Sequence, residues 1–399
     1  MSKNIKKIVL AYSGGLDTSV ILPWLKERYG CKVVAFVADV GQGADELDGI
    51  EEKAMASGAD KCVVADLRKE FAEEYCFKML KAQATYEHLY LLGTSIARPL
   101  IAKAQVDCAH REKADAVGHG ATGKGNDQVR FELTFMALGP DLKIIAPWKD
   151  STFELTSREA AIEYAKAHNV PIAQSKKKIY SRDRNLWHIS HEGADLEDPR
   201  NEPKDNLWVM SVPVSKAPAK PEYVQIDFKE GVPVAVDGKK LAGHDIIDTL
   251  NTIGGRHAVG QTDLVENRLV GIKSRGAYET PGGTILYVAH QALEALTLDR
   301  DTAHYKEQVA LKYAELVYYG QWFCPLRKAL DTFVDSTQKS VTGSVRVKCF
   351  KGRATAAGCE SPNSLYSSQL ASFTMGDEYT PSDATGFIKL FGLQMKGRG

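Results

Sequence analysis

The chain has 399 residues, which is enough for two or three domains. Lys and Arg number 51 and Asp and Glu also number 51, so the net charge of zero argues against a general nucleic-acid binder, which carries a basic excess. Hydrophobic residues make up 44% of the chain and charged residues 26%, as in a globular protein with an ample core.

The cysteines and the apolar runs indicate the cellular compartment of the protein. Seven cysteines are scattered without a CxxC pair, which argues against a disulfide framework or a structural zinc site. No apolar run reaches the roughly 18 residues of a membrane span, and the run Ile8–Tyr12 is too short for a signal peptide. We therefore expect a protein of the reducing cytoplasm, with no membrane partner.

The first 171 residues alternate short apolar strands with helices. We predict strands at 8–12, 32–40, 61–66, 114–118 and 143–147. We predict helices at 18–29, 45–57, 67–86, 95–113 with a break at Pro99, 127–138 and 160–168. Such alternation predicts an α/β domain with a doubly wound parallel sheet, covered by helices on both faces. A ligand then belongs at the carboxyl ends of the strands.

The pattern changes after Pro171, where we predict an α+β domain over residues 172–376. Its expected strands are 223–228, 232–236, 344–350 and 353–358, and its expected helices are 245–253 and 284–319, the latter in two pieces. The stretch 181–201 is polar and shows no periodicity. Residues 377–399 form a separate C-terminal arm, with an amphipathic helix predicted over 382–395.

The most informative segment is the loop Ser13–Ser19, SGGLDTS, between the first predicted strand and helix. Its two glycines let the backbone turn tightly and approach a ligand closely. The amides that begin the helix are unpaired and carry partial positive charge, and Ser13, Thr18 and Ser19 add hydroxyl donors. These groups suit an oxyanion such as pyrophosphate. The loop has no lysine, so it is not a Walker-type P-loop; an ordinary turn with Asp17 as a helix cap is the alternative.

Two other glycine patterns overlap in the segment 118–125, GHGATGKG. Gly118, Gly120 and Gly123 match GxGxxG, but the dinucleotide fingerprint belongs to the first strand–helix turn and this segment follows the fourth strand. The segment also begins like a Walker A motif, but Gly125 stands where that motif needs a magnesium-binding Ser or Thr. We therefore expect neither a nicotinamide site nor a Walker site here.

Polar side chains cluster at the start of the helix that follows this segment. Asn126 and Arg130 are four residues apart and share one helical face. Arg130 can bind a carboxylate through two hydrogen bonds, and Asp127 can pair with an ammonium group. Together with Thr122 they suit an amino-acid substrate, which carries both groups. The alternative is that Asn126 or Asp127 caps the helix and Arg130 is a surface charge.

The loop SGGLDTS resembles the pyrophosphate-binding loop of the N-type ATP pyrophosphatases, which cleave ATP between the α and β phosphates and adenylate a substrate oxygen. Longer segments resemble one family in that group, the argininosuccinate synthases. They are AYSGGLDTSV (11–20), FVADVGQ (36–42), GTSIARPLIAK (93–103), GHGATGKGNDQVRFE (118–132), SRDRNLWHIS (181–190) and NRLVGIKSRGAYETPGG (267–283). The resemblance implies an adenine-nucleotide alpha-hydrolase-like domain, a synthetase domain and a homotetramer.

The resemblance also implies a ligase reaction in arginine biosynthesis. The ureido oxygen of citrulline attacks the α-phosphorus of ATP to give citrullyl-adenylate and pyrophosphate, and the amine of aspartate then displaces AMP to give argininosuccinate. Mg²⁺ would bridge phosphate oxygens, and no protein residue is assigned as a metal ligand. No Ser-His-Asp or Cys-His set suggests a covalent intermediate on the protein, so we expect catalysis by positioning and electrostatics.

Site residues follow from the resemblance by position in the sequence. The residues assigned to ATP are Ala11, Tyr12, Ser13, Gly14, Gly15, Leu16, Asp17, Thr18, Ser19, Ala38 and Gly120. Those assigned to aspartate are Thr122, Asn126 and Asp127. Those assigned to citrulline are Tyr90, Ser95, Asn126, Arg130, Ser181, Ser190, Glu266 and Tyr278. The expected catalytic residues are Ser13, Asp17 and Asp127, whereas Trp187 is expected in the core and His188 as a structural hydrogen-bonding residue.

Two other functions remain open at this point. The first is another N-type ATP pyrophosphatase. An amidotransferase-type member would carry a terminal catalytic cysteine, which is absent here, and a tRNA-modifying member would need a basic face, which zero net charge does not favour. The second is a nucleotide-binding module without catalysis, and the paired amino-acid-type sites beside the loop count against it.

Overall fold

A five-stranded parallel sheet lies at the centre of the N-terminal part of the chain. The structure is a computed structural model that describes residues 5–123, 125–171, 180–372 and 380–397. The strands of this sheet are β1 (Lys7–Ala11), β2 (Lys32–Asp39), β3 (Lys61–Asp66), β4 (Ala116–Gly118) and β5 (Lys143–Ile145). Their spatial order is β3-β2-β1-β4-β5, so the winding reverses direction between β1 and β4.

Helices cover both faces of this sheet, because its strands are apolar on both sides. They are α1 (Leu16–Tyr29), α2 (Ala44–Leu47), α3 (Ile50–Ala56), α4 (Arg68–Glu70), α5 (Phe77–Ala82), α6 (Gly93–Arg111), α7 (Asp127–Leu138) and α8 (Arg158–Ala167), with a 3-10 turn at Pro147–Lys149. Ile8 and Leu10 of β1 share a core with α1 and α8, whereas Val9 shares a second core with α6 and α7. The predicted doubly wound α/β fold is therefore confirmed.

Three helix predictions in this part need correction. The break at Pro99 is wrong, since α6 continues through it; a proline removes one backbone hydrogen bond, and the extensive burial of α6 outweighs that loss. The helix predicted at 45–57 is divided into α2 and α3 by Gly49, whose φ is +68°. The helix predicted at 67–86 ends at Ala82, and a π-helical stretch, Phe71–Cys76, joins α4 to α5.

The second part of the chain contains two antiparallel sheets. One has the order β10-β9-β8-β13-β14 and the other β11-β12-β7-β6. The strands are β6 (Ser181–Arg184), β7 (Ile189–Glu192), β8 (Glu222–Lys229), β9 (Val232–Val236), β10 (Lys239–Lys240), β11 (Gln261–Asn267), β12 (Lys273–Glu279), β13 (Gly343–Phe350) and β14 (Arg353–Glu360). The helices are α9 (Gly243–Arg256), α10 (Pro281–Thr297), α11 (Arg300–Tyr318) and α12 (Pro325–Thr337), with 3-10 turns at Ala194–Glu197, Val214–Lys216 and Gln338–Ser340. The α+β character predicted for this part is confirmed, including the division of the segment 284–319 into two helices.

The sheet β11-β12-β7-β6 and the helix α12 were not predicted. β6 has the sequence SRDR, which offers no apolar alternation, and its strand conformation depends on pairing with β7. α12 begins after Cys324, whose sulfur accepts the amide of Arg327, an unusual cap; Pro325 at its first position is the signal that could have predicted it.

The C-terminal segment forms the predicted amphipathic helix, α13 (Asp383–Phe391), followed by a 3-10 turn at Leu393–Met395. Its apolar side chains are each more than half exposed: Phe387, Ile388, Leu390, Phe391, Leu393 and Met395. The proposed division at 171/172 and 376/377 involves residues 172–179 and 373–379, outside the described residues, and stays a prediction. Among the helices of the described ranges, none is both long and apolar enough to cross a bilayer.

Candidate active site

The two glycine-rich loops lie side by side where the strand order reverses. One loop follows β1 and the other follows β4, and Leu10 of β1 pairs with Gly118 of β4. Gly120 lies so close to α1 that a Cβ atom there would be 3.1 Å from Cγ2 of Thr18 and 3.2 Å from Cδ1 of Ile21. Open parallel sheets bind their ligands at this kind of switch point.

Hydroxyl and amide groups converge in the first loop. The hydroxyls of Ser13 and Thr18 are 3.2 Å apart, and the Gly15 amide donates to Ser13 Oγ over 3.3 Å. Gly15 occupies the N-cap of α1, so the alternative in which Asp17 caps the helix is wrong, and the first amides of α1 lack a side-chain cap. Partial burial raises the pKa of Asp17, and the charge of Arg158 partly offsets that effect.

A cavity of about 280 Å³ extends from this loop to the end of β2. Its walls include Phe36, Val37, Ala38 and Val40, which are apolar and suit a planar base. The predicted ATP residues that line it are Ala11, Tyr12, Ser13, Gly15, Asp17, Thr18, Ala38 and Gly120. Ser19 does not line it, because its hydroxyl is buried and lies 3.0 Å from that of Tyr12.

A larger cavity of about 1070 Å³ continues from the same loop into the second part of the chain. The predicted residues that line it are Ser13, Gly14, Gly15, Leu16, Asp17, Tyr90, Thr122, Asn126, Asp127, Arg130, Ser181, Ser190, Glu266 and Tyr278. Ser95 is absent from this lining and is fully buried in the first turn of α6. The structure therefore brings the predicted ATP, aspartate and citrulline residues to one cleft, with Ser19 and Ser95 behind its wall.

Asp127 lies between two arginines at the centre of this cleft. Arg98 Nε donates to Asp127 Oδ2 over 2.8 Å, and Arg130 Nη1 donates to Asp127 Oδ1 over 2.9 Å. Arg98 also donates to Asp183 of β6 over 2.7 Å, so it links the two parts of the chain. Burial by itself would raise the pKa of Asp127, but the two guanidinium groups hold that pKa below its usual value.

Glu266 is held by two tyrosine hydroxyls. Tyr278 OH donates to Glu266 Oε1 and Tyr318 OH donates to Glu266 Oε2, each over 2.8 Å. The carbonyl of Tyr318 also accepts Arg130 Nε over 3.1 Å. The buried carboxylate and the buried guanidinium thus face one cavity, as recognition of a zwitterion requires.

The remaining predicted side chains line the wall formed by β6, β7 and β12. Ser190 pairs in register with Tyr278, and Ser181 pairs with Glu192. The rings of Tyr90 and Tyr278 pack with their centroids 4.6 Å apart. These strands therefore place hydroxyl groups opposite the loop that follows β4.

The structure tests the alternative roles for the side chains of the second loop and excludes one of them, a surface charge at Arg130. Arg130 is only 4% exposed and is not a surface charge. Asn126 holds the N-cap position of α7 but makes no side-chain capping bond, and its Oδ1 is buried without a partner. A buried amide oxygen of this kind is unfavourable in the absence of a ligand, which favours a binding role for Asn126.

Trp187 and His188 have the structural roles expected for them. Trp187 is fully buried and donates to the carbonyl of Leu91 over 2.9 Å. His188 Nε2 lies 2.9 Å from the Thr94 hydroxyl, and burial lowers the pKa of His188 to about 3. A buried imidazole with a pKa this low is a weak base, which makes His188 unsuited to accept a proton from a substrate.

Arg98, Asp183 and Tyr318 belong to the cleft but were not singled out from the sequence. Arg98 is the one arginine in the segment 93–103, GTSIARPLIAK, and its position in that segment could have indicated it. Tyr318 ends a long helix almost two hundred residues from Arg130 along the chain, and no local pattern predicts their contact.

Comparison with known proteins matches nearly the whole chain to one family. The family model "Arginosuccinate synthase N-terminal HUP domain" matches residues 7–171, and "Arginosuccinate synthase C-terminal domain" matches residues 180–398. The chloroplastic argininosuccinate synthase of Arabidopsis thaliana is 59% identical over 394 residues, 99% of this chain and 79% of that protein. The argininosuccinate synthase of Roseiflexus sp. is 58% identical over 99% of this chain and 97% of its own, and that of Moorella thermoacetica is 60% identical over 98% and 96%.

Proposed function

This chain belongs to the argininosuccinate synthase family, and we propose that its cleft binds ATP, citrulline and aspartate side by side and joins the two amino acids. The observation that carries the proposal is the single cavity of about 1070 Å³ shared by the anion-binding loop at Ser13 and by the buried pair Arg130 and Glu266. The loop suits phosphate, and the pair suits the carboxylate and ammonium of an amino acid.

The reaction has two steps, and the residues act by positioning. The amides at the start of α1, with Ser13 and Thr18, hold the phosphates, while Arg130 and Glu266 orient citrulline so that its ureido oxygen attacks the α-phosphorus. Pyrophosphate leaves, and adenylation turns that oxygen into a good leaving group. The aspartate amine then attacks the ureido carbon, and AMP departs with the former ureido oxygen.

Aspartate is assigned to Thr122, Asn126 and Asp127 in this proposal. The unpartnered Oδ1 of Asn126 supports it, and the ionised Asp127 supplies a negative charge for the ammonium form of the amine. Both oxygens of Asp127 already accept arginine hydrogen bonds, but each carboxylate oxygen has a second lone pair for a substrate.

Mg²⁺ fits the phosphate end of the cleft. Carboxylate side chains line the cavity beside the loop, among them Asp17 and Glu46, and Mg²⁺ prefers such oxygen ligands together with phosphates. When bound, the ion would offset the charge that develops on the phosphates. Asp17 is the carboxylate of the loop itself, and we assign to it the orientation of the phosphate–metal unit.

We further propose a cytoplasmic homotetramer. The exposed apolar stripe of α13 supports an arm that docks on a neighbouring subunit, a low-cost route to a closed oligomer. All seven cysteines are free, as suits a reducing compartment. The division into a nucleotide-binding domain 1–171, a synthetase domain 172–376 and the arm 377–399 belongs to the same proposal.

Product analysis tests the function directly. The purified chain is incubated with ATP, Mg²⁺, citrulline and aspartate, and with each reactant omitted in turn. We expect argininosuccinate, AMP and pyrophosphate in equal amounts, and pyrophosphate release that depends on citrulline. AMP without a new amino-acid product would indicate another N-type ATP pyrophosphatase, and no pyrophosphate under any condition would indicate a binding module.

A further inference from the structure

We infer that Tyr318 is a positioning residue for the amino-acid end of citrulline, because it holds both Glu266 and Arg130. This inference rests on the proposed function of the cleft. Tyr318 is the last residue of α11 and is 1% exposed. It lies on an element that none of the motifs discussed above includes.

Tyr318 contacts the two charged groups through different atoms. Its hydroxyl donates to Glu266 Oε2 over 2.8 Å, and its carbonyl accepts Arg130 Nε over 3.1 Å. The guanidinium carbon of Arg130 also lies 5.0 Å from the centre of the Tyr318 ring. One residue thus fixes the spacing between a carboxylate and a guanidinium, the groups that bind the ammonium and the carboxylate of one amino acid.

Contacts with neighbouring residues hold the Tyr318 ring in one orientation. The Tyr86 ring stacks on it with centroids 3.7 Å apart and planes 5° from parallel. Two residues on, Gly320 has a φ of +73°, and a Cβ atom there would lie 2.7 Å from Cα of Arg130. The segment that follows α11 therefore packs closely against the backbone of α7. Rotation of the Tyr318 ring would break its stacking with Tyr86.

The consequence for substrate binding is specific. With Oε2 of Glu266 held by Tyr318 and Oε1 held by Tyr278, the carboxylate plane is fixed before citrulline arrives. A preorganised carboxylate loses less entropy on binding an ammonium group. Removal of the Tyr318 hydroxyl should therefore weaken recognition of the α-amino group, without affecting recognition of the ureido end or of ATP.

The variant Tyr318→Phe tests this, because it removes the hydroxyl and keeps the ring. We expect the KM for citrulline to rise about tenfold or more, as for loss of a hydrogen bond to a charged group, with the KM for ATP within twofold of wild type. The matched control is Tyr313→Phe on the same helix, whose hydroxyl donates to Asp331 Oδ1 over 2.7 Å outside the cleft lining, and which should leave the KM for citrulline unchanged.

A substrate analogue separates positioning from a structural effect. With 5-ureidopentanoate, which is citrulline without its α-amino group, wild type and Tyr318→Phe should differ by less than about twofold in kcat/KM. An equal loss with citrulline and with the analogue would overturn the inference. So would a fall in kcat with unchanged KM.

A double-mutant cycle gives a second test that does not depend on one variant. If Tyr318 acts through Glu266, adding Tyr318→Phe to Glu266→Gln should cost far less in kcat/KM than it costs in the wild type. Additive losses would overturn the inference. A wild-type chain that forms no argininosuccinate would instead overturn the proposed function, so the two failures are distinguishable.

Discussion

At the scale of single residues, the cleft is organised by charges that are partly buried and paired. Asp127 is held between Arg98 and Arg130, and Glu266 is held between two tyrosine hydroxyls. Burial of a charge without such partners would cost several kcal/mol. Asp127 and Glu266, which we propose to bind substrates, are therefore each held by neighbouring side chains, and changes to those neighbours should be visible in substrate affinity.

Asp127→Asn keeps the shape of this side chain and removes its charge. We expect the KM for aspartate to rise by a factor equivalent to roughly 1.5–3 kcal/mol, while ATP affinity stays nearly unchanged. The KM for citrulline should rise less, since Arg130 loses one charged partner. Asp183→Asn is the comparison variant: it removes the charge of the other carboxylate that accepts from Arg98, and it should raise the KM for aspartate less than Asp127→Asn does. An unchanged KM for aspartate together with lost ATP binding would reassign Asp127 to the nucleotide.

Ser13→Ala and Asp17→Ala should impair turnover much more than folding. Both side chains are exposed in the loop proposed to bind the phosphates, and the hydrogen bonds of Ser13 Oγ stay within that loop, so little packing is lost. We expect kcat to fall by about tenfold or more, and the melting temperature to change by only a few degrees. Asp301→Ala is the matched control, because Asp17 and Asp301 are each the second residue of a helix. Asp301 is remote from the cleft, so this variant should leave kcat unchanged. A sharp fall in melting temperature with full activity of the folded fraction would show that the loop is structural.

At the scale of elements, helix ends build the site. In the proposed function the start of α1 presents its amides to the phosphates and the start of α7 presents Asn126 and Asp127 to aspartate. The end of α11 holds Arg130 and Glu266. Helix ends suit this task because their backbone groups are not used inside the helix. The fit between the end of α11 and α7 depends on close approach of the two backbones.

Gly320→Ala should disturb this fit. A side chain at 320 combines a φ of +73° with a contact of 2.7 Å to Cα of Arg130. Gly238→Ala is the control, with a φ of +75° and open space around its Cβ position. We expect Gly238→Ala to lower the free energy of unfolding by about 1–2 kcal/mol, and Gly320→Ala by roughly 1–3 kcal/mol more, with a raised KM for citrulline. Equal effects of the two variants in urea unfolding and in kinetics would contradict this.

At the scale of the whole molecule, the cavity that carries the proposed reaction lies between the parallel sheet and the sheet β11-β12-β7-β6. Neither part contains both the phosphate loop and Glu266, so the site exists only when the two are docked. The ion pairs of Arg98 with Asp127 and Asp183 cross this junction. The exposed stripe of α13 is the other whole-molecule feature, since none of the residues described in 5–123, 125–171, 180–372 and 380–397 covers it.

Deletion of residues 377–399 should lower the mass of the oligomer. An exposed apolar helix of nine residues is marginal by itself and gains stability when it docks on a surface. We expect light scattering to show a species smaller than a tetramer, while the nucleotide-binding part stays folded by circular dichroism. The full-length double variant Phe387→Asp and Phe391→Asp should have the same effect, and Lys389→Ala should not. A truncated chain that remains fully tetrameric would refute the role of the arm.

Buried histidines should make the stability of the chain sensitive to acid. Burial lowers the pKa of His290 to about 4, below the ordinary value of 6.5, so between these pH values the unfolded chain binds a proton that the folded chain does not. Stability from this source is complete above pH 6.5 and falls by up to about 1.4 kcal/mol per pH unit as the pH drops toward 4. Urea unfolding at pH 5 and pH 7 should show a smaller pH dependence for His290→Gln than for wild type or for the exposed control His304→Gln. An unchanged pH dependence in His290→Gln would contradict this assignment.

The sequence by itself determined the α/β fold of the first part, the position of the phosphate loop and the second loop with Arg130. These features depend on neighbouring residues only. Apolar runs such as Ile8–Tyr12 predict buried strands, and a loop before a helix leaves the first amides of that helix unpaired. The resemblance of longer segments to a known family then supplied the substrates and the more distant residues of the proposed site.

Only the tertiary structure decided which groups meet across the chain. The pairing of β6 with β7, the ion pairs of Arg98 and the contacts of Tyr318 with Glu266 and Arg130 join residues that carry no local signal of one another. Pro99 inside α6 shows the same principle, because burial on the sheet outweighs the local preference of a proline to end a helix. Sequence patterns report the preferences of neighbouring residues, whereas the energy of packing and of buried charge pairs depends on distances that exist only after the chain has folded.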